Sequence, residues 1–292
     1  MRAVGVERTK DASVAVWGVL NVTPDSFSDG GRFLATDAAV QHARRMLAEG
    51  ADVIDVGGES SRPRGGTYGA GAELVDVDEE LARVLPVVER LAGELGARVS
   101  IDTVKPEVAC RAVRAGAEVI NDVSCGRSEG LLAVAAELGA ELVLMHNRRR
   151  GEVTPENTRY DDVVEDVVGE LMAAVDRAAT LGVARERIWV DPGIGFAKTA
   201  EQSALLLAHV KALACTGHRV LVGPSRKSFI ARLAPAPDGS EPAPGQREGG
   251  TAAAVTAAVL GGAAAVRVHD VRVMRQAARV AEQLRTMGER AR

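Results

Sequence analysis

The feature that most constrains this chain is one local pattern, repeated: a short apolar run that ends in Asn, Asp or His, then an amphipathic segment. The first copy is Val16 to Gly31, V-W-G-V-L-N-V-T-P-D-S-F-S-D-G-G, in which residues fit for burial on both faces give way at Asn21 to Thr23-Pro24-Asp25 and a Gly-ended loop. Taken alone, Asn21, Thr23 and Asp25 read equally well as turn residues. The pattern recurs, however. Apolar runs at Asp52 to Val56, Arg98 to Ile101, Glu118 to Ile120, Glu141 to Met145, Arg187 to Val190, Arg219 to Val222 and Ala264 to Val268 each end in polar residues.

Between them lie segments with helical spacing. Thr36 caps a segment through Glu49, Val77 to Gly93 follows, and Lys105-Pro106 opens a third, with Pro at the turn where it is tolerated. Further helices are expected near Glu129 to Leu138, Tyr160 to Leu181, Thr199 to Leu213 and from Asp270 to about Leu284. About eight strand-then-helix units predict an α/β fold, a (β/α)8 barrel, as a single domain at 14–292. Long loops follow strands 1 and 2, and Met1 to Ser13 form a tail or cap. The chain's 292 residues suit one such barrel, which takes about 250. The Pro- and Gly-rich stretch Ala234 to Gly250 is read as a loop insertion in the seventh unit, because too little follows it for a second domain.

An aromatic content of 3% means that Val, Ile, Leu and Ala must build the core, as parallel strands under helices require. The net charge of −4 supplies no basic field for nucleic acid, and Arg148-Arg149-Arg150 reads as a solvated loop. Cys110, Cys125 and Cys215 are widely spaced and lack CxxC pairing, which argues against disulfides and zinc and for reduced thiols. With no secretory leader and no apolar run of the ~18 residues that cross a bilayer, a cytoplasmic protein is expected.

The strand ends collect Asn21, Asp55, Asp102, Asn121, His146, Asp191, Lys227, Arg267 and His269. In a parallel barrel these ends share one mouth, where ligands bind. Lys227, Arg267 and His269 suggest an anion site after strands 7 and 8, helped by backbone N–H groups near Ser225 and Asp270. The competing structural reading pairs Arg267 with Asp270 or Asp191. Asp102, Asn121 and Asp191 suit either an oxygen-ligand metal or a flat heterocycle held by forked hydrogen bonds. Gly193-Ile194-Gly195 begins like a dinucleotide fingerprint, but Lys198 occupies its third glycine position.

Seven motifs stand in order at these ends: Asn21 to Gly31, Gly57-Gly-Glu-Ser-Ser-Arg-Pro63, Ile101-Asp-Thr-Val-Lys-Pro106, Asn121-Asp122, Asp191-Pro-Gly-Ile-Gly-Phe196, Ser225-Arg-Lys-Ser228 and Arg267-Val-His-Asp270. Together they closely resemble the dihydropteroate synthases of the pterin-binding barrel superfamily. The resemblance implies a transferase that joins 7,8-dihydropterin pyrophosphate to p-aminobenzoate, giving 7,8-dihydropteroate and pyrophosphate in folate biosynthesis. It implies that Asp102, Asn121, Met145, Asp191, Phe196 and Lys227 hold the pterin, and that Asn21, Arg267 and His269 hold pyrophosphate with Mg2+, Asn21 being the metal ligand. Asp102, Lys227, Arg267, His269 and Asn21 are then the catalytic set, and Phe27, Asp29, Ser61, Arg62, Pro63 and Ser228 line the p-aminobenzoate pocket.

The resemblance also implies two mobile lids, at Phe27 to Gly31 and Ser60 to Gly66, and a homodimer through outer helices such as Thr251 to Leu260. The family commonly has Thr-Arg-Pro-Gly where this chain has Ser61-Arg62-Pro63-Arg64, so a shifted p-aminobenzoate or sulfonamide affinity is expected. Two alternatives share the pterin pocket: a catalytically inactive paralogue, and a methyltetrahydrofolate-binding methyltransferase domain, which has no use for a pyrophosphate site.

Overall fold

The computed structural model describes residues 13–23, 31–59, 75–148 and 153–290, with the side chains of 31–34 left aside. The tail expected at 1–13, apart from Ser13, the first expected lid apart from Gly31, and all of the second lie outside the described residues. Eight parallel strands close into a barrel in sequence order. They are β1 (Ala15–Asn21), β2 (Val53–Gly57), β3 (Val99–Asp102), β4 (Val119–Asp122), β5 (Glu141–Met145), β6 (Ile188–Asp191), β7 (Arg219–Val222) and β8 (Ala265–Val268).

Helices return the chain after each strand: α1 (Gly31–Ala48), α2 (Val77–Leu95), α3 (Pro106–Arg114), α4 (Glu129–Leu138), α5 (Val163–Thr180), α6 (Ala200–Ala208), α7 (Val210–Ala214), α8 (Ser228–Leu233), α9 (Glu248–Leu260) and α10 (Val271–Arg290). Their ends follow local chemistry. Asp76, Ser128 and Asp162 accept N–H bonds at the starts of α2, α4 and α5, while Thr199 and Gln202 form a reciprocal box at α6. Gly96 and Gly139 take left-handed conformations that end α2 and α4.

Several expected boundaries move, and Thr36, expected to cap the first helix, lies inside α1, which begins at Gly31. The helix expected over Thr199 to Leu213 is two, α6 and α7, meeting at His209, whose φ of −112 leaves the helical region. The insertion expected over 234–250 is a loop only over 234–247, with a short 3-10 turn at Pro244–Gln246; its last three residues already belong to α9. No described helix is long and apolar enough to cross a membrane.

Strand alternation explains where the polar groups go. Inside the barrel, Trp17, Val53, Val119, Val143, Trp189, Leu221 and Ala265 form a cluster of their own, distinct from the larger core between strands and helices. Trp17 and Trp189 meet edge to face with ring centroids 5.6 Å apart. Below them Glu141 accepts from the Trp189 indole at 2.5 Å and pairs with Arg98 and Arg219 at 2.9 and 3.2 Å, closing the N-terminal end. Side chains two residues further along a strand share its face. Two residues beyond Val53, Val119, Trp189 and Ala265 lie Asp55, Asn121, Asp191 and Arg267, and Asp102 stands in the same relation to buried Ser100. Of these, Asp102 and Asn121 are direct register partners, while Asp55 lies opposite Ser100, Arg267 opposite Trp17 and Asp191 opposite Met145.

The apolar plug is therefore the floor on which the polar layer rests. Trp189→Ala removes one ring of the pair, and with it the whole Trp17–Trp189 contact, and should cost about 3–5 kcal/mol, read as a lower urea midpoint at an unchanged slope. A midpoint equal to wild type would mean that the plug does not support the barrel.

Candidate active site

The polar layer at the C-terminal mouth is organised by Arg267. Its Nε donates to Asp55 Oδ2 and its Nη2 to Asp102 Oδ2, the latter at 2.8 Å. Asp55 Oδ2 also accepts from Asn121 Nδ2 at 3.2 Å. One buried unit thus spans β2, β3, β4 and β8. The internal pairing considered for Arg267 is real, but its partners are not Asp270 or Asp191. Asp270 is instead gripped by Arg226, at 2.8 and 2.9 Å from one guanidinium nitrogen. Barrel closure brings β8 beside β1 and across from β2 and β3, whereas Asp270 lies beyond the strand end, before α10.

The carboxylate and cation groups read as two separate clusters are therefore interleaved. Burial pushes the Asp102 carboxyl up to about 7; Arg267 opposes the shift and Asp55 adds to it. Burial works against the charge on Arg267, yet the two carboxyls outweigh it and hold its pKa above the usual arginine value. Asp191 is raised by burial, resisted by Lys227 and by the Gly193 N–H that its Oδ1 accepts at 2.7 Å. Lys227 is lowered by burial to about 8, Asp191 opposing. Its ammonium donates to the Ile194 carbonyl and lies 4.6 Å from the Phe196 ring centroid.

At the rim, Ser225 Oγ accepts the His269 backbone N–H at 3.2 Å and lies 2.9 Å from His269 Nδ1. With that hydroxyl donating to Nδ1, Nε2 is left as the ring's N–H donor. Asn21 lies exposed at the end of β1, with its side-chain oxygen close to Gly57 at the end of β2. Met145 is buried at the end of β5, and Ser228 opens α8 half-buried. Phe27, Asp29, Ser61, Arg62 and Pro63 lie outside the described residues.

Several residues matter more than the sequence suggested. Asp55 stood among the strand ends without a role and is the shared acceptor of Arg267 and Asn121; its two-residue spacing from Val53 was the available signal. Lys198, noted only for spoiling a fingerprint, is buried with its ammonium 2.8 Å from His146 Nδ1. Glu170 and Arg148, from α5 and the loop before it, complete that chain on the far side of His146. No local pattern pointed to them.

No group of three or more His, Cys, Asp or Glu side chains is placed to hold a metal ion among the described residues. Asp102, Asn121 and Asp191 are instead tied to protein donors or acceptors, leaving further carboxyl oxygens and an amide for a flat polar ring. Comparison with known proteins meets this geometry from the other side. Residues 17–269 match the model of the family described as pterin binding enzyme. The dihydropteroate synthase of Mycobacterium leprae is 47% identical over 271 residues, covering 92% of this chain and 93% of that one. Two solved structures of the Xanthomonas albilineans dihydropteroate synthase superpose as well. The 4-aminobenzoic acid complex does so with a TM-score of 0.82 at 42% identity, covering 93% of each chain. The 7,8-dihydropteroate complex has a TM-score of 0.80 at 40% identity, covering 93% of this chain and 94% of that one. A family match over residues 17–269 and relatives matched over nearly their whole length lead to one conclusion: the chain belongs to the pterin-binding enzymes, in their dihydropteroate synthase branch.

Proposed function

We propose that this mouth condenses 7,8-dihydropterin-6-ylmethyl pyrophosphate with p-aminobenzoate, giving 7,8-dihydropteroate and pyrophosphate. The observation that carries the reading is the buried Asp55–Arg267–Asp102 bridge with Asn121, facing Asp191 and Lys227. Because Asn121 spends an N–H on Asp55, it keeps its carbonyl oxygen and one N–H for the ring. Asp102, Asp191 and Lys227 add carboxyl acceptors and a cationic donor, while Met145 and Phe196 supply apolar contact beside them.

In the reaction the C–O bond to pyrophosphate breaks with its electron pair leaving on oxygen. A C–N bond then forms from the amine, which loses a proton to solvent or pyrophosphate. Positive charge develops on the pterin methylene as the C–O bond lengthens. Asp102, ionised, stabilises it; Arg267 and the His269 N–H draw the leaving anion toward the rim. A carboxyl held near 7 fits this task, since its ionised form gains most when a cation appears beside it.

Mg2+ ordinarily takes few protein oxygens and completes its shell with water and phosphate. Asn21, a single exposed amide oxygen at the rim, suits that habit and would hold the ion. When bound, Mg2+ neutralises charge on the pyrophosphate. Phe27, Asp29, Ser61, Arg62, Pro63 and Ser228 line the p-aminobenzoate pocket in this reading, with Ser61 and Arg64 tuning its affinity. The protein works in the cytoplasm as a homodimer in which α9 makes contact, with the exposed Leu260 at its end.

Purified protein given both substrates and Mg2+ should release pyrophosphate and form dihydropteroate in equal amounts; tight pterin binding without product would point to the inactive paralogue. Asp102→Asn should lower kcat by about a hundredfold or more, and a loss under threefold would remove Asp102 from the chemistry. Asp102 is neutral below its pKa and ionised above it. kcat/KM should therefore rise as pH climbs through about 7 and then level off. A profile flat from pH 5.5 to 8.5 would contradict that role.

A further inference from the structure

The loop between β6 and α6 carries much of the proposed pterin site, yet it is neither helix nor strand. Gly193, Gly195 and Ala197 all have left-handed backbone, at φ of 65, 80 and 48. Ala197 is the strained member, because its Cβ disfavours that region. The loop also presses on β5 so closely that a Cβ on Gly193 would meet the His146 carbonyl oxygen at 1.9 Å. Such a buried segment must find partners for its carbonyls outside a ladder. Side chains supply them: Lys198 donates to Gly193 O at 3.2 Å and Phe196 O at 2.9 Å, Lys227 to Ile194 O, and the Tyr160 hydroxyl to Ala197 O at 3.0 Å.

Lys198 is the centre of this set. An ammonium has three hydrogens and no acceptor, and here it meets three acceptors: two loop carbonyls and His146 Nδ1 at 2.8 Å. The histidine is the right tautomer to accept. Its Nε2 lies 3.0 Å from Glu170 Oε2. Burial opposes ionisation of Glu170, but hydrogen bonds from His146 and Arg148 outweigh it and keep the carboxyl down at about 2. An ionised carboxylate only accepts, so Nε2 carries the hydrogen and Nδ1 presents its lone pair. Burial and then the Lys198 charge press the His146 pKa down to about 4, so the ring is neutral and its contact with Glu170 is a hydrogen bond, not an ion pair.

We propose that Lys198 is a positioning residue for the pterin: with neutral His146 as its third acceptor, it fixes the Gly193–Phe196 loop so that Asp191, Phe196 and Lys227 meet the ring together. The mechanism gives Lys198 no chemistry, and it stands behind the loop, where it touches the carbonyls rather than the polar layer. The proposal rests on the assignment of the pterin to Asp191 and its neighbours.

The experiment is steady-state kinetics on Lys198→Met, His146→Asn and His146→Leu, with Asp191→Asn as the reference for the pterin site. Lys198→Met should raise the KM for dihydropterin pyrophosphate by about tenfold while the KM for p-aminobenzoate stays within about twofold. His146→Asn places an amide oxygen near the Nδ1 position and should keep the pterin KM close to wild type; His146→Leu has no acceptor and should follow Lys198→Met. If Lys198→Met does not fold, the two histidine variants decide alone. The proposal is overturned if Asp191→Asn raises the pterin KM but Lys198→Met does not, if both substrates' KM values rise together, or if the two histidine variants behave alike. A pterin KM unmoved by Asp191→Asn would overturn the site assignment itself, and the proposal with it.

Discussion

The Arg267 guanidinium shared between Asp55 and Asp102 is the interaction on which the rest of the site depends. A cation and two carboxyls removed from water are costly singly and tolerable together, so each fixes the others. Arg267 reaches the layer from β8 and meets acceptors on β2 and β3, so the bridge exists only when the barrel is closed. Closure in turn needs the interior below the bridge to be filled, which the Trp17–Trp189 pair and its apolar neighbours accomplish. Fold and site are one construction: the apolar layer shapes the barrel, and the next layer, two residues along, carries the charge.

Two other supports converge on the same layer from the side of β5 and β6. Lys227 ties a loop carbonyl to the ring of Phe196, and Lys198 ties two more to His146. Lysines in these positions are held by geometry and desolvated, with burial lowering Lys198 to about 7 and Lys227 to about 8. The contrast with Arg267, whose charge its carboxyls secure, divides the labour. Arginine holds the strands' carboxyls in place, and lysines hold irregular backbone.

Much of this was legible in the sequence because barrel strands are short and end alike. The repeat of apolar run and polar terminus gave the architecture, and period-two spacing from Val53, Val119, Trp189 and Ala265 marks Asp55, Asn121, Asp191 and Arg267 as one layer. Pairing within that layer was not legible. Arg267 has an aspartate three residues away, and local reasoning reaches for it, yet its partners lie 212 and 165 residues distant. Similarly, Lys198 looked like a flaw in a glycine pattern, and only the approach of the loop to His146 shows what the long cation does. The break at His209 between α6 and α7 also escaped, because the apolar spacing runs on across it.

The central claim is that Asp55 adds to burial in holding the Asp102 carboxyl up, through its own field and by sharing Arg267. Measuring the pH dependence of kcat/KM in Asp55→Asn against wild type tests it most directly. Removing a neighbouring negative charge and leaving Arg267 to Asp102 alone must favour ionised Asp102, so the acid limb should move to lower pH. An acid limb that stays in place, with only the plateau reduced, would contradict the account and reduce Asp55 to a packing residue.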